Sequence, residues 1–200
     1  MRHLARRSAA VFVAAVAVVA GWPSTAGATP APRLAAGANE ALLLATNADP
    51  WFLDDGCTGG STPRDPLVVT PAAPESSCTV RVGVPVVVLA AGLTCFLDTV
   101  EAVRDECEAG WADPEHVLVS AVAEVDGRPV ALVEHRVGGS VTFPEDSALG
   151  AVAGAVSPWY AISRTAVVRG LRPGVHVVHA SFSYADGFTG DTTFTITVIR

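Results

Sequence analysis

From Val175 to Tyr184, and again from Thr193 to Val198, apolar and polar residues exchange places at nearly every step. Phe194, Ile196 and Val198 fall on one side, Thr193, Thr195 and Thr197 on the other. A period of two is the spacing of a strand with one buried face, because successive side chains leave a pleated strand on opposite sides. Gly170-Leu-Arg-Pro-Gly174 precedes the first run, and Ala185-Asp-Gly-Phe-Thr-Gly-Asp191 separates the two. Both are turn chemistry, so this end of the chain predicts antiparallel strands whose apolar face the remainder must cover.

Further upstream the same logic yields more strands. Val80, Val82 and Val84 alternate with Arg81 and Gly83; after Pro85, Val86 to Ala91 is apolar on both sides, as a doubly covered central strand requires. Pro85 marks a break between the two pieces, since proline cannot donate to a ladder. Val117 to Val133 predicts a hairpin about Asp126-Gly127, a pair suited to a type I′ turn, with Val117, Val119, Ala121, Ala123 and Val125 on one face and a returning strand Val130 to Val137. Leu67-Val68-Val69 is a brief strand, Val141 to Phe143 another, and Tyr160 to Arg169 alternates again. Between Phe96 and Cys107 the period changes: Phe96, Val100, Val103 and Cys107 follow helical spacing, with Asp98 and Glu101 placed as a capping box. The expected class is all-β, mainly an antiparallel β-sandwich of immunoglobulin-like or jelly-roll-like form, with one short helix near 98–108.

The start of the chain sets the expected compartment. Arg2, Arg6 and Arg7 precede twelve apolar residues from Ala9 to Ala20, and Ala26-Gly27-Ala28 supplies a small-residue cleavage pattern. This predicts a secretory signal peptide over 1–28, because the apolar run falls short of the roughly 20 residues that span a bilayer. Residues 29–40 read as a flexible linker, Glu40 to Ala45 as an edge strand or one helical turn, and 41–200 as a single secreted domain. Of 13 basic residues, all arginine, three would leave with the leader; against 20 acids that puts the mature net charge near −10. Such an acidic balance argues against nucleic acid and against an anionic membrane as partner.

Cys57, Cys78, Cys95 and Cys107 all lie in the exported part, and an even count there predicts two disulfides. Spacings of 21, 17 and 12 contain no Cys-x-x-Cys metal clip. Nearest-neighbour pairing is expected, 57 with 78 and 95 with 107. A helix spanning 98–106 opposes the second pair, since its ends would stand ~12 Å apart, beyond disulfide reach, unless the lead-in folds back along it.

The C-terminal pattern Gly170-Leu-Arg-Pro-Gly-Val-His-Val-Val178, followed by Asp191-Thr-Thr-Phe-Thr-Ile-Thr-Val198, resembles the end of a group of secreted β-sandwich proteins, mostly actinobacterial, loosely labelled "signal protein". Gly83-Val-Pro-Val-Val-Val88, Cys95 and the Val125-Asp-Gly-Arg-Pro-Val130 hairpin match the same pattern, so the likeness runs over about 80–200. Where that group carries an aromatic-rich strand and an Asn, this chain has Val-Val-Val-Leu-Ala-Ala-Gly92. The group has no assigned activity, so the resemblance implies a sandwich fold and no site.

Chemistry-bearing patterns are sparse. His176 and His179 face opposite sides of a strand and cannot jointly hold a metal; His176 shares the apolar face and reads as a core-edge histidine bonded to backbone. Asp54-Asp55-Gly56, Asp113-Pro114-Glu115 and Asp186-Gly-Phe-Thr-Gly-Asp191 are turn chemistry before they are calcium ligands. No G-x-S-x-G or S-x-x-K nucleophile motif occurs, and no catalytic residue, cofactor or metal is expected. Trp51, Trp111, Trp159 and Tyr160 are the candidate stacking platforms for sugar rings; the competing reading makes them buried plugs at the sandwich ends. The expectation is a secreted, non-catalytic binding or structural domain for an extracellular protein or cell-envelope glycan. The alternative is a carbohydrate-binding or carbohydrate-active hydrolase, which needs two carboxylates converging beside Trp111 or Trp159.

Overall fold

The computed structural model describes residues 11–12, 31–48, 57–60, 66–71, 76–96, 100–143 and 152–200. Two sheets face each other. Sheet I runs in the order β2 (Cys57–Gly59), β3 (Leu67–Val69), β5 (Val86–Phe96), β9 (Val156–Val168) and β8 (Val133–Thr142), with the short β1 (Val11–Phe12) also paired to β5. Sheet II runs β4 (Ser76–Arg81), β11 (Thr189–Ile199), β10 (Gly174–Tyr184), β6 (Leu118–Val125) and β7 (Arg128–Pro129). Most pairs are antiparallel; β3 with β5 and β4 with β11 are parallel. The class read from the alternation is the class observed, a mainly antiparallel sandwich.

The main core lies between the sheets. Phe194, Ile196 and Val198 of β11 meet Val86, Val88 and Ala90 of β5, all 4 % exposed or less, while Thr193, Thr195 and Thr197 face outward. Pro85 stands where the chain leaves sheet II at β4 and enters sheet I at β5. The Asp126-Gly127 turn takes φ of 52° and 68°, positive at both positions, as a type I′ turn demands.

β5 is buried on both faces, and its second cover is a helix. α1 (Ala31–Ala48) lays Leu34, Ala38 and Leu42 on Val68, Val87 and Leu89, the outer side of sheet I. The stretch expected as a flexible linker is thus helical and packed from Ala31 onward, and Glu40 to Ala45 is its middle rather than an edge strand. Leu34, Ala38 and Leu42 recur every four residues, the spacing of one helix face, and Pro32 sits in the first turn, where its missing N–H costs nothing. Asn39, 1 % exposed, donates through Nδ2 to the Ala35 carbonyl (2.8 Å) and to Ser163 Oγ (3.0 Å), fixing α1 over β9.

The second helix is the predicted one, displaced towards the C-terminus. α2 (Val100–Trp111) buries Val103 and Cys107 against Leu93 and Cys95. It starts beyond β5 and runs back along it, so that a Cβ on Gly110 would lie 2.8 Å from Leu93 Cδ2. Folding back brings Cys95 and Cys107 to a Cα–Cα distance of 5.7 Å, and they are disulfide-bonded. Cys78 is also disulfide-bonded; the side chain of its expected partner, Cys57, lies outside the described residues, as does the Asp98 capping box.

Two expected details change. The hairpin's returning strand pairs only at Arg128–Pro129; the chain then crosses, with Val130 and Leu132 packed on the main core, and β8 joins sheet I. Val119 is 65 % exposed although Ala123 and Val125 are buried, because the β6–β10 register slips between Ser183 and Tyr184. That bulge turns Leu118 inward against Phe182 and Tyr184 and puts Val119 outside.

Candidate functional site

At the edge of sheet I, strand β8 brings together residues that the hairpin reading keeps apart. Glu134 and Arg164 are cross-strand neighbours with Arg164 Nη2 3.0 Å from Glu134 Oε2. Arg136 donates to Glu134 Oε1 through Nη2 at 3.1 Å and, through Nη1, to Glu108 of α2. The Tyr160 hydroxyl donates to the other Glu108 oxygen at 2.9 Å, and the Arg104 guanidinium lies 5.9 Å from the Tyr160 ring centre. The network ties α2 to β8 and β9. Hydrogen bonding from Arg136, and then from Tyr160, holds the Glu108 carboxyl below its usual range despite partial desolvation. Burial, then the bond to Glu108, raises the Tyr160 phenol.

Glu108 and Glu134 are thus two acids that converge, one helical turn from Trp111, but around a guanidinium. A glycosidase needs one carboxyl kept protonated near neutral pH, and Arg136 acts on Glu108 in the opposite sense. The arrangement is that of a strut joining α2 to sheet I.

Histidines pair with carboxylates along sheet II. His176, on the core side of β10, has Nδ1 2.8 Å from Asp126 Oδ2 and Nε2 2.8 Å from the Arg172 carbonyl oxygen. Both neighbours accept, so both bonds form only when the ring is an imidazolium; the Arg172 carbonyl and then Asp126 raise its pKa. Burial works against the Asp126 charge, but the bonds from His176 and from Val177 N outweigh it, and its pKa is lowered. His179 Nε2 lies 3.2 Å from both oxygens of Asp191. His116 stands between Asp113 (3.5 Å) and Asp186 (3.6 Å), bringing together two of the loops considered for calcium. Asp113 instead caps a short 3₁₀ turn (Pro114–His116) and Asp186 Oδ1 accepts from Phe188 N, so both are turn residues. Asp54 and Asp55 lie outside the described residues. Among the described residues no group of three or more His, Cys, Asp or Glu is arranged to hold a metal.

The aromatic candidates separate. Trp159 is 3 % exposed, enclosed by Leu43, Val141, Phe143 and Ala161 beneath α1 and laid across Gly139, so it offers no free ring face. Trp111 is half-buried between the Phe182–Tyr184 pair and the α2–β5 contact. Tyr160 belongs to the ionic network, and Trp51 lies outside the described residues.

The open surface lies elsewhere. Sheet I is covered by α1 on one side and by sheet II on the other. Sheet II turns to solvent a face of Ser77 and Thr79 (β4), Thr193, Thr195 and Thr197 (β11), and Val175, Val177 and His179 (β10). Val175 (66 % exposed), Val177 (44 %) and Val122 (36 %) are its apolar members. Sequence reasoning did place the threonines outward, but only the strand order sets them beside the valines. No described helix is long and apolar enough to cross a membrane. No family model, curated protein or solved structure matches the chain.

Proposed function

We infer that this chain is an extracellular, non-catalytic binding domain that recognises a cell-envelope component through the uncovered face of sheet II. One observation carries this reading: among the described residues, sheet I is covered on both sides, while sheet II exposes an array of β-branched and hydroxyl side chains, with Val175 and Val177 on its middle strand near one end. Contiguous exposed apolar side chains with a polar surround mark interaction surfaces. The cleavable leader pattern and the buried Cys95–Cys107 disulfide support an oxidising compartment outside the cell.

The test is a binding assay with the mature, oxidised protein immobilised and challenged with purified envelope glycans. The reading expects at least one to be retained, and retention to fall at least tenfold in a Val175→Glu/Val177→Glu variant that keeps the wild-type melting temperature. Equal retention by wild type and variant across the panel refutes it. So does turnover of any glycan by the wild type.

A further inference from the structure

Among the described residues, the charges of this acidic chain are largely sorted by end. Four segments meet where β4 and β11 finish and β5 and β10 begin: residues 81–85, 126–132, 169–175 and 199–200. They contain Arg81, Arg128, Arg169, Arg172 and Arg200, and one acid, Asp126. Arg81 is the register partner of Ile199, which places it beside Arg200. Gly174 faces Val198, so Arg172 lies just beyond at the same end. Arg172 is linked through its carbonyl to His176, and His176 to Asp126, two residues before Arg128. Arg81, Arg128, Arg172 and Arg200 are exposed and Arg169 is half-buried. The single acid is already engaged by His176 and by Val177 N.

Most of the described acids gather at the other end, while Glu124 and Asp191 stand beside His179 along sheet II. α2 and the turn after it carry Glu101, Asp105, Glu106, Glu108, Asp113 and Glu115, and Asp186 joins them at the β10–β11 turn. The 11 residues of β10 separate the two ends by about 33 Å, at roughly 3.3 Å per residue. That is several screening lengths in physiological salt, about 8 Å each, so the arginine end acts on a partner as a local cation despite the acidic total. Guanidinium groups match carboxylate and phosphate oxygens in a planar, two-point geometry.

From this end a hydroxyl lane runs down the open face: Arg81 is followed by Thr79 and Ser77 on β4, and Thr197, Thr195 and Thr193 run beside them on β11. Anionic groups at one end and hydrogen-bonding groups along the lane are together the features of an acidic sugar polymer. Val82, Val175 and Ile199 are exposed among these arginines, but the lane that continues from them is polar, so a bilayer is the competing partner that the vesicle arm of the test separates. We propose that the arginine end and the adjoining Thr/Ser lane form a binding site for an anionic polysaccharide, whose acid groups seat on Arg81, Arg172 and Arg200 and whose hydroxyls lie along β4 and β11. The proposal rests on the binding reading above and names its ligand class.

The test measures affinity for polygalacturonate at low salt, with dextran and phosphatidylglycerol vesicles in parallel. Wild type is expected to bind polygalacturonate, to lose affinity with added salt, and to ignore dextran. Arg81→Gln, Arg172→Gln and Arg200→Gln should each weaken binding roughly fivefold, the order of effect of one cation facing an anionic surface, and the triple variant on the order of a hundredfold. Arg104→Gln changes the net charge by the same amount at the acidic end and should leave binding within about twofold. Equal losses in Arg104→Gln and Arg81→Gln overturn the site, as does wild-type binding to vesicles in preference to polygalacturonate. If polygalacturonate is not bound while a neutral glycan is still held in a Val175/Val177-dependent way, the arginine site fails and the binding reading stands.

Discussion

Replacing Leu34 by Ala tests whether α1 belongs to the folded body. Leu34 is 1 % exposed and packs with Ala38 and Leu42 on Val68, Val87 and Leu89. Truncation removes three methylene-sized groups from a closed contact, and alanine replacements at such sites cost about 3 kcal/mol, within a range of roughly 2–5. Helix propensity cannot supply the loss, because alanine is the better helix former by a few tenths of a kcal/mol. For a domain of this size, about 3 kcal/mol lowers the melting temperature by roughly 6–12 °C. Leu42→Ala should cost a similar amount, and the double variant less than the sum, since both residues share one cluster. Arg33, the exposed neighbour, is the control, and Arg33→Ala should stay within about 0.5 kcal/mol of wild type. The assay is urea unfolding followed by tryptophan fluorescence, comparing midpoints at constant m. A Leu34→Ala midpoint equal to that of Arg33→Ala would mean that 31–48 is not docked on sheet I, and the assignment of a second covered face to β5 would fall with it.

Three further outcomes are expected. Opening Cys95–Cys107 by a double Cys→Ala replacement should cost about 3 kcal/mol, the loop-closure value for a separation of 12, measured by denaturation of the oxidised variants. His176 has a raised pKa, so its contribution is fully present below the unfolded value of about 6.5 and is lost as pH rises through the higher folded value; wild type should lose stability relative to His176→Gln as pH rises above about 6.5, and parallel curves for the two proteins would refute the imidazolium assignment. Gly190→Ala should destabilise by about 1–3 kcal/mol, because a Cβ there collides with the buried Phe182 ring; a neutral result would show that the ring has room to move.

How far the fold could be read from the chain depended on how each residue announces its surroundings. Strict exchange of Thr with Phe, Ile and Val in β11 states both faces at once, and Asp126-Gly127 states a turn that few other pairs can make. α1 was hidden because alanine fills its buried and half-buried positions alike, so Leu34, Ala38 and Leu42 stand out weakly against Ala36, Gly37 and Ala41. The clue was indirect: a β5 apolar on both faces requires two covers, and the predicted strands supply one. The Glu108–Arg136–Glu134–Arg164 network was illegible for a topological reason. It exists only because β8 leaves the hairpin and joins the other sheet, and nothing local in Arg128-Pro-Val-Ala-Leu132 states that crossing. The arginine end is assembled from four segments that are contiguous only once the strand order is known.

The position of β11 has a consequence for how the molecule is made. It lies inside sheet II, between β10 and β4, and Ser76 of β4 faces Phe194, which follows it by 118 positions. Synthesis proceeds at about 5–20 residues per second, so β4 waits seconds for the neighbour that completes its sheet. Contacts so distant along the chain come late in folding, because loop closure must precede any gain from them. β2, β3, β5, β8 and β9 of sheet I all lie within residues 57–168 and are made before β10 begins, but their inner face lacks its full cover until sheet II closes. The β4 edge stays unpaired until residues 189–199 arrive, and it needs guarding from other strands until they do.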